Sequence, residues 1–237
     1  MIDLPLAAFG LFGDAFEFIF QQREAESGGV MVGGLDQIGE LALKQLEVTA
    51  LALGVSILLA LPVGLLLGHY GRGEFVAVSA GNAGRAIPEL ALIALMATAV
   101  GVGLFNLVVA LAILGIPPIL TNTFVGIRQV DKSSVEAAEG MGMTDSEIMR
   151  KVELPLAVPT IMGGVRTASI NIIATATIAP LAGILTLGDL IISRNVYGDA
   201  GVLAGAVLVA LMAITIEGLL AGLQWKLTSQ GLKVQRG

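Results

Sequence analysis

The chain has 237 residues, of which 55% are hydrophobic, only 14% are charged and none is cysteine. A soluble domain carries about 25% charged residues, so this composition predicts an all-α, polytopic membrane protein that folds as one bundle of transmembrane helices. The lack of cysteine excludes disulfides, thiolate metal sites and cysteine nucleophiles. The 13 basic residues are scattered, which excludes a nucleic-acid-binding patch.

The first 45 residues are predicted to lie outside the membrane as an N-terminal segment. Leu4–Phe20 is short for a span and contains Asp14 and Glu17, so it is either an interfacial amphipathic helix or a loosely ordered tail. The segment also lacks the basic start of a cleavable signal peptide.

Five transmembrane helices are predicted from uncharged runs that approach the length needed to cross a bilayer. They cover roughly residues 46–69, 84–101, 105–127, 161–185 and 201–224. A tight turn near Gly101–Asn106 separates the second span from the third. The alternative for the second span is a start as early as Phe75. The transmembrane domain then occupies residues 46–225, followed by a tail at 226–237.

The distribution of lysine and arginine predicts the orientation. With the N-terminus outside, the outer segments hold Arg23, Lys44 and Arg194, and the other ten of the 13 basic residues lie inside. Cytoplasmic loops are enriched in Lys and Arg, so the N-terminus is predicted outside and the C-terminus in the cytoplasm. The polar loop at 128–160 is then cytoplasmic.

The polar loop is predicted to contain two short capped helices that form a helical knob. Ser133 with Glu136 fits a capping box, and Thr144 with Glu147 fits a second one. The first helix is expected to stop near Gly140 or Gly142, where a left-handed turn is easy. The second is expected to end at Leu154-Pro155, because the residue before a proline avoids the helical region.

Several residues of the polar loop resemble the EAA loop of permeases from binding-protein-dependent ABC importers. The pattern is Glu136-Ala137-Ala138, Gly142 six positions after the glutamate, then Leu154-Pro155 and Pro159. Val152 departs from the isoleucine that is usual two residues before the leucine. The alternative is a well-capped loop without a partner. The resemblance implies that Glu136–Met143 enters a cleft on a cytoplasmic ATPase, with coupling residues Glu136, Ala137, Ala138, Gly142, Met143, Leu154 and Pro155.

The resemblance also implies an assembly. It predicts a type I ABC importer permease fold in the bacterial plasma (inner) membrane, with a second permease subunit of the same or a homologous chain. Two cytoplasmic ATPase subunits and an extracellular or periplasmic substrate-binding protein complete it. This chain has no Walker A motif, no G-x-S-x-G and no H-E-x-x-H, so it is predicted to be a transporter subunit without enzymatic activity or a cofactor of its own.

Further stretches are similar to the osmoprotectant group of these permeases, which import glycine betaine, carnitine, choline or proline. They are Leu61–Gly64, Arg85–Leu92, Ala174–Ala179 and the outer segment Phe16–Gly34. Gly183–Gly188 departs from the glycine-rich turn that is usual in the group. Permeases for methionine or other amino acids share the short layout and the EAA loop, so they are the alternative.

Neutral polar residues on the fourth span are candidates for the translocation pathway. Asn171 and Thr175 are four residues apart and therefore share one helix face, and Thr177 follows. Such groups suit the passage of a small zwitterion. The alternative is hydrogen bonding between helices, which contributes about 0.6 kcal/mol each.

Two ionisable residues stand near or within the spans. Glu217 lies inside the fifth span and is a pathway candidate, or else it pairs with Lys226, Arg85 or Arg166. His69 is the only histidine and lies at the inner end of the first span. A lone histidine without cysteine does not make a metal site, so His69 is interpreted as a boundary residue.

Overall fold

A computed structural model describes the backbone of residues 4–228, and the side chains of these residues except 4–9, 76, 78, 80 and 83–85. The part of the chain that it describes is helical apart from one two-stranded hairpin. The elements are α1 (Leu4–Phe20), β1 (Gln22–Glu24), β2 (Met31–Gly33), α2 (Gly34–His69), α3 (Glu74–Ala86), α4 (Glu89–Val100), α5 (Leu104–Arg128), α6 (Lys132–Gly140), α7 (Asp145–Ile148), α8 (Leu154–Thr175), α9 (Gly188–Ile192) and α10 (Arg194–Leu227).

Four helical stretches are long and apolar enough to cross a membrane: Gly34–His69, Leu104–Arg128, Asp145–Ala182 and Arg194–Leu227. They confirm the predicted first, third, fourth and fifth spans. The helices extend past the predicted bounds, because α2 starts twelve residues before 46 and the fourth helical stretch starts at Asp145. Most of the predicted tail, from residue 229, lies outside the described residues.

The prediction of one continuous second span over 84–101 was wrong. The chain forms α3 and α4, two short helices that are separated at Ile87-Pro88. Proline has no backbone N–H, and the residue before it avoids the helical region, so the helix breaks there. The predicted turn after it is confirmed: Gly101 and Gly103 have φ of 99° and 142°, and the Asn106 amide donates to the Gly101 carbonyl.

The described residues divide into two compact units. The first contains the described residues up to Leu51, with Leu90–Ala110 and Ile173–Ile214. The second contains Ala52–Glu89, Leu111–Ile172 and the described residues from Thr215 onward. Several helices therefore contribute residues to both units.

The first unit has its core where the N-terminal hairpin and α1 pack on α9 and the start of α10. Phe18, Val32, Leu190 and Tyr197 are buried in this cluster. The hairpin pairs Gln22 with Gly33 in antiparallel register. Burying these side chains anchors the N-terminal segment, which is therefore helical and packed in the described part and does not form a loose tail.

The second unit is held by α2, α5 and α8. Ala60, Ile119 and Ala168 are buried in one cluster, and Ile127 and Ala157 are buried in another. Glycines let the helices approach closely, as is usual between membrane helices. Thus α2 meets α5 at Gly64 and Gly68, and α5 meets α8 at Gly126 and Gly164.

Candidate functional site

The first helix of the knob, α6, starts two residues before the predicted position. Its N-cap is Asp131, whose carboxylate accepts the Ser134 backbone N–H at 3.2 Å. The predicted N-cap Ser133 was wrong, because its hydroxyl instead donates to Asp131. Hydrogen bonds from Ser133 and then Ser134 hold the pKa of Asp131 below its ordinary value. An ionised N-cap carboxylate also interacts favourably with the helix dipole.

The predicted left-handed turn after α6 is confirmed at Gly142, which has φ of 79°. The Met143 N–H donates to the Ala138 carbonyl at 3.2 Å, and the Gly142 N–H donates to the Glu139 carbonyl at 2.9 Å. These two bonds form a Schellman motif, which satisfies the last carbonyls of the helix.

The second predicted capping box is confirmed at the start of α7. The Glu147 carboxylate accepts from the backbone N–H and from the hydroxyl of Thr144, both at 3.1 Å. Lys151 donates to the same carboxylate at 2.8 Å. The two capped helices α6 and α7 with the turn between them are called the helical knob (residues 131–148) below.

The prediction that the second helix ends at Leu154-Pro155 was wrong. The chain passes through a π-helical turn over Met149–Glu153 and continues without a break into α8. The Leu154 N–H donates to the Met149 carbonyl, five residues back. The wider π turn accommodates the missing N–H and the ring of Pro155, which would disturb a regular α-helix.

The knob residues divide into a buried and an exposed set. Ala138 and Ile148 are 1% and 2% exposed, so they join the two knob helices from inside. Glu136, Ala137 and Gly142 are exposed, and Met141 is 71% exposed. The C-terminal end of α6 therefore presents a small, largely apolar surface. Met143, Leu154 and Pro155 are half-buried.

Asn171 lies on a polar cavity of about 170 Å³ in the second unit. Its described lining residues are all uncharged: Gly81, Leu114, Pro117, Pro118, Thr121, Asn122, Thr167 and Asn171. We call it the asparagine cavity.

Hydrogen-bond donors in the asparagine cavity are largely used within the chain. The Thr121 hydroxyl donates to Ala77 O at 2.8 Å, the Asn122 amide donates to Pro118 O at 2.8 Å, and the Thr167 hydroxyl donates to Gly163 O at 3.0 Å. Oxygen lone pairs of the same side chains remain. The double proline adds to them, because neither Pro117 nor Pro118 has an N–H to donate to the carbonyl four residues back. The cavity is therefore neutral and rich in acceptors.

The other two pathway candidates on this stretch belong to the first unit. Thr175 ends α8 and is 2% exposed. Thr177 lies in a 3₁₀ helix over Ala176–Ala182, and its hydroxyl donates to Ala174 O at 2.6 Å.

Glu217 forms an ion pair with Arg166, one of the three partners considered for it. The Arg166 Nε donates to Glu217 Oε1 at 2.8 Å, and the Arg166 Nη1 donates to Gln224 Oε1 at 2.8 Å. Gln224 in turn donates to the Pro159 carbonyl at 3.3 Å. This network joins α8 to α10, and it gives Glu217 a structural partner.

Two contacts were missed by the sequence reasoning. His69, interpreted as a boundary residue, has its Nδ1 2.6 Å from Oε2 of Glu153. In the first unit the buried Asp189 accepts from the Tyr197 hydroxyl at 2.7 Å and from Ser193 at 2.9 Å. The His69 partner is 84 positions away, and no local pattern signals it. Asp189 and Tyr197 are only eight residues apart, but they lie in different helices, α9 and α10, so helical spacing does not signal their contact either.

Comparisons with known proteins agree on one family. Residues 60–231 match the model of the family "binding-protein-dependent transport system inner membrane component". The choline transport system permease protein OpuBB of Bacillus subtilis is 39% identical over 82% of this chain and 92% of its own length. The glycine betaine/carnitine/choline permease OpuCB of the same organism is 38% identical with the same coverage. The osmoprotectant import permease OsmW of Salmonella typhimurium is 32% identical over 86% of this chain and 97% of its own.

Solved structures show the fold. An inward-facing structure of the methionine ABC transporter MetNI has a TM-score of 0.72 at 23% identity, over 82% of this chain and 98% of that chain. An amino acid ABC transporter with histidines has a TM-score of 0.63 at 24% identity, over 80% and 93%. The fold is therefore that of type I ABC importer permeases.

Proposed function

Because this chain belongs to the family of binding-protein-dependent transport system inner membrane components, we propose that it is the permease subunit of an ATP-driven importer for osmoprotectants such as glycine betaine, choline, carnitine and proline. The observation that carries the proposal is the 32–39% identity, over most of the chain, to permeases named for choline, glycine betaine, carnitine or osmoprotectants. The likeness to the methionine transporter is one of fold, at 23% identity. The chain is a transport subunit and not an enzyme; ATP hydrolysis belongs to a separate chain.

The family places the chain in the inner membrane and implies an ATPase, a substrate-binding protein and a second permease. The finer arrangement is part of the proposal: two ATPases below, two copies of this chain or a homologous pair, the N-terminus outside and the C-terminus in the cytoplasm. The excess of Lys and Arg in the proposed inner segments supports the orientation. The apolar α1 and its packing on the first unit support an outer, interfacial position for it.

The helical knob is the proposed contact with the ATPase. Its capping bonds and the Schellman turn make a rigid shape, and the exposed Glu136, Ala137 and Met141 offer a surface that a cleft can enclose. The small side chain of Ala137 permits close approach. In this arrangement the movement of the ATPases displaces the knob, and the spans follow in alternating access.

Replacing Gly142 by alanine is expected to weaken this coupling. Gly142 has φ of 79°, and a side chain there costs about 1–2 kcal/mol although its Cβ meets no atom within 4 Å. The measurement is the ATPase rate of the reconstituted complex that the loaded binding protein stimulates, which should fall several-fold. Gly142→Pro should be harsher, because proline cannot adopt a positive φ and also removes the bond to the Glu139 carbonyl.

Gly140→Ala is the matched control. Gly140 is also exposed, and a Cβ there would meet no atom within 4 Å, but it lies within α6. The substitution should leave the stimulated rate unchanged. Equal rates in Gly142→Ala and the wild type would contradict the coupling role.

The asparagine cavity is the proposed contact for the solute within this chain. Its oxygen lone pairs, which carry partial negative charge, attract the cationic methyl groups of a quaternary ammonium, and the Asn171 amide offers a donor for a carboxylate. Thr175 and Thr177 continue the same stretch of chain as proposed pathway residues. Glu217 was included among them, but its pairing with Arg166 favours a structural role.

Uptake of radiolabelled solutes tests the function. The chain is expressed with its cognate ATPase and binding protein in a strain without its own importers, and glycine betaine, choline, carnitine, proline and methionine are offered at low and high osmolarity. We expect betaine-type uptake that rises with osmolarity. Uptake of methionine alone would move the chain to the amino-acid importers and leave its fold unchanged.

The same assay with Asn171→Leu tests the cavity. Asn171 is exposed on the cavity and leucine is of similar size, so the complex should still assemble. The apparent KM for uptake should rise, because an amide that contacts the solute is lost. Ile170→Asn on the adjacent exposed position is the control for helix composition. An unchanged KM in Asn171→Leu would remove the cavity from the pathway.

A further inference from the structure

Among the described residues, the contact between His69 and Glu153 is the most enclosed contact between a basic and an acidic side chain. The two side chains are 10% and 8% exposed, and Nδ1 lies 2.6 Å from Oε2. Burying a carboxylate is costly unless it is hydrogen-bonded, so each side chain depends on the other. The ring of Tyr70 packs with its edge towards the imidazole, with 5.0 Å between the ring centroids.

The pair connects two elements with different roles. His69 is the last residue of α2, a candidate membrane span, and Glu153 is the last residue of the π turn that leads from the knob into α8. Immediately beside it, α2, α5 and α8 pack through Ile127, Ala157 and Leu65. A Cβ at Gly68 would lie 2.7 Å from the Cβ of Ile127, so α2 has little freedom to slide there.

The π turn over Met149–Glu153 lies between the knob and α8. Single π turns inside α-helices are rare, and they are frequent at functional sites. On the other side of the turn lie the capped helices of the knob, which are internally rigid. A contact that holds the π turn to the end of α2 would therefore link a displacement of the knob to that span.

We propose that His69 and Glu153 are a positioning pair, which ties the π turn to the end of α2 so that displacement of the knob moves the first long span. The proposal rests on the proposed role of the knob in coupling. The two side chains touch neither solute nor nucleotide; they act through the helices they join. Loss of the contact between His69 and Glu153 should lower solute transport while ATP hydrolysis continues.

The test compares solute transported per ATP hydrolysed in proteoliposomes that contain the whole complex. His69→Leu/Glu153→Leu removes both polar groups without leaving one of them buried alone. We expect the transported solute per ATP to fall about threefold or more while the stimulated ATPase rate persists. His69→Asn places an amide nitrogen near the position of Nδ1 and should restore most of the ratio.

A role in folding alone would give a different pattern. The thermal midpoint and the amount of complex would fall, but every assembled complex would transport at the wild-type ratio, and that result would overturn the proposal. Should the double variant fail to assemble, Glu153→Gln decides, because it keeps an acceptor for Nδ1 and weakens the bond: an unchanged ratio again overturns the proposal, and a lowered one supports it.

Failure of the knob proposal is distinguishable from failure of the pair. Gly142→Ala lowers the stimulated ATPase rate itself if the knob couples the chains, whereas the pair variants change the ratio. A stimulated ATPase rate in Gly142→Ala equal to that of the wild type would contradict the coupling role of the knob, on which the proposal rests. A lowered stimulated ATPase rate in Gly142→Ala, together with an unchanged amount of solute transported per ATP in the His69 and Glu153 variants, would contradict only the proposed role of this pair.

Discussion

Replacing Gly164 by alanine is expected to cost about 1–3 kcal/mol of stability, which is the usual penalty for overpacking. A Cβ at this position would lie 2.6 Å from the Cβ of Asn122 and 2.7 Å from the Pro118 carbonyl oxygen. Both atoms belong to α5 at or next to its backbone, so no side-chain rotation relieves the clash. The helices α5 and α8 would have to separate, and the asparagine cavity would deform with them.

The neighbouring Gly163 is a matched control on the same helix. A Cβ there meets no atom within 4 Å, so alanine should be neutral, or stabilising by about 0.5–1 kcal/mol through helix propensity. The measurement is the half-life of the detergent-solubilised protein at raised temperature, since membrane proteins often unfold irreversibly. Equal half-lives for the two variants would mean that α5 and α8 do not approach closely at Gly164.

Removing the Glu217 carboxylate is expected to be the most damaging change to the ion-pair network. Glu217→Ala leaves the Arg166 guanidinium with Gln224 as its remaining hydrogen-bond partner among the described residues. An unpaired arginine within a membrane helix costs about 2.5–3.5 kcal/mol on insertion scales. We therefore expect a loss of about 2–3 kcal/mol, seen as a lower thermal midpoint and lower yield in the membrane.

The double variant Arg166→Gln/Glu217→Gln distinguishes the free-energy cost of leaving one charge unpaired from the net contribution of the ion pair to stability. Two glutamines leave no charge in the membrane and still offer complementary hydrogen bonds. Its stability should exceed that of each single variant, Glu217→Gln and Arg166→Gln, which is a strongly non-additive double-mutant cycle. A double variant as unstable as the sum of the two single changes would mean that the residues do not interact.

Long-range partners were the part of the site that sequence patterns did not supply. Glu217 had three candidate partners, and only the packing of α10 against α8 selects Arg166. The partner of His69 was not considered at all, since Glu153 stands 84 residues further on within a segment that was expected to end a helix. Pairing across such distances depends on which helix faces meet, and local spacing does not encode that.

Local backbone geometry was predicted well where one residue type has one strong physical preference. Gly142 takes the left-handed turn because it has no Cβ, and Thr144 with Glu147 forms the capping box that its spacing suggests. The predictions failed where two local signals compete. Asp131 displaced Ser133 as the N-cap, and a π turn carried the helix past Leu154-Pro155.

The sequence by itself determined the membrane class of this protein, four of its spans and the capped knob, because hydrophobic length, glycine and capping residues act within one or two helical turns. It also carries the family resemblance in the knob. Only the tertiary structure decided the asparagine cavity and the pairs Arg166 with Glu217 and His69 with Glu153. These depend on which faces of distant helices pack together, and that is settled by the closest approach that glycines such as Gly68 and Gly164 allow.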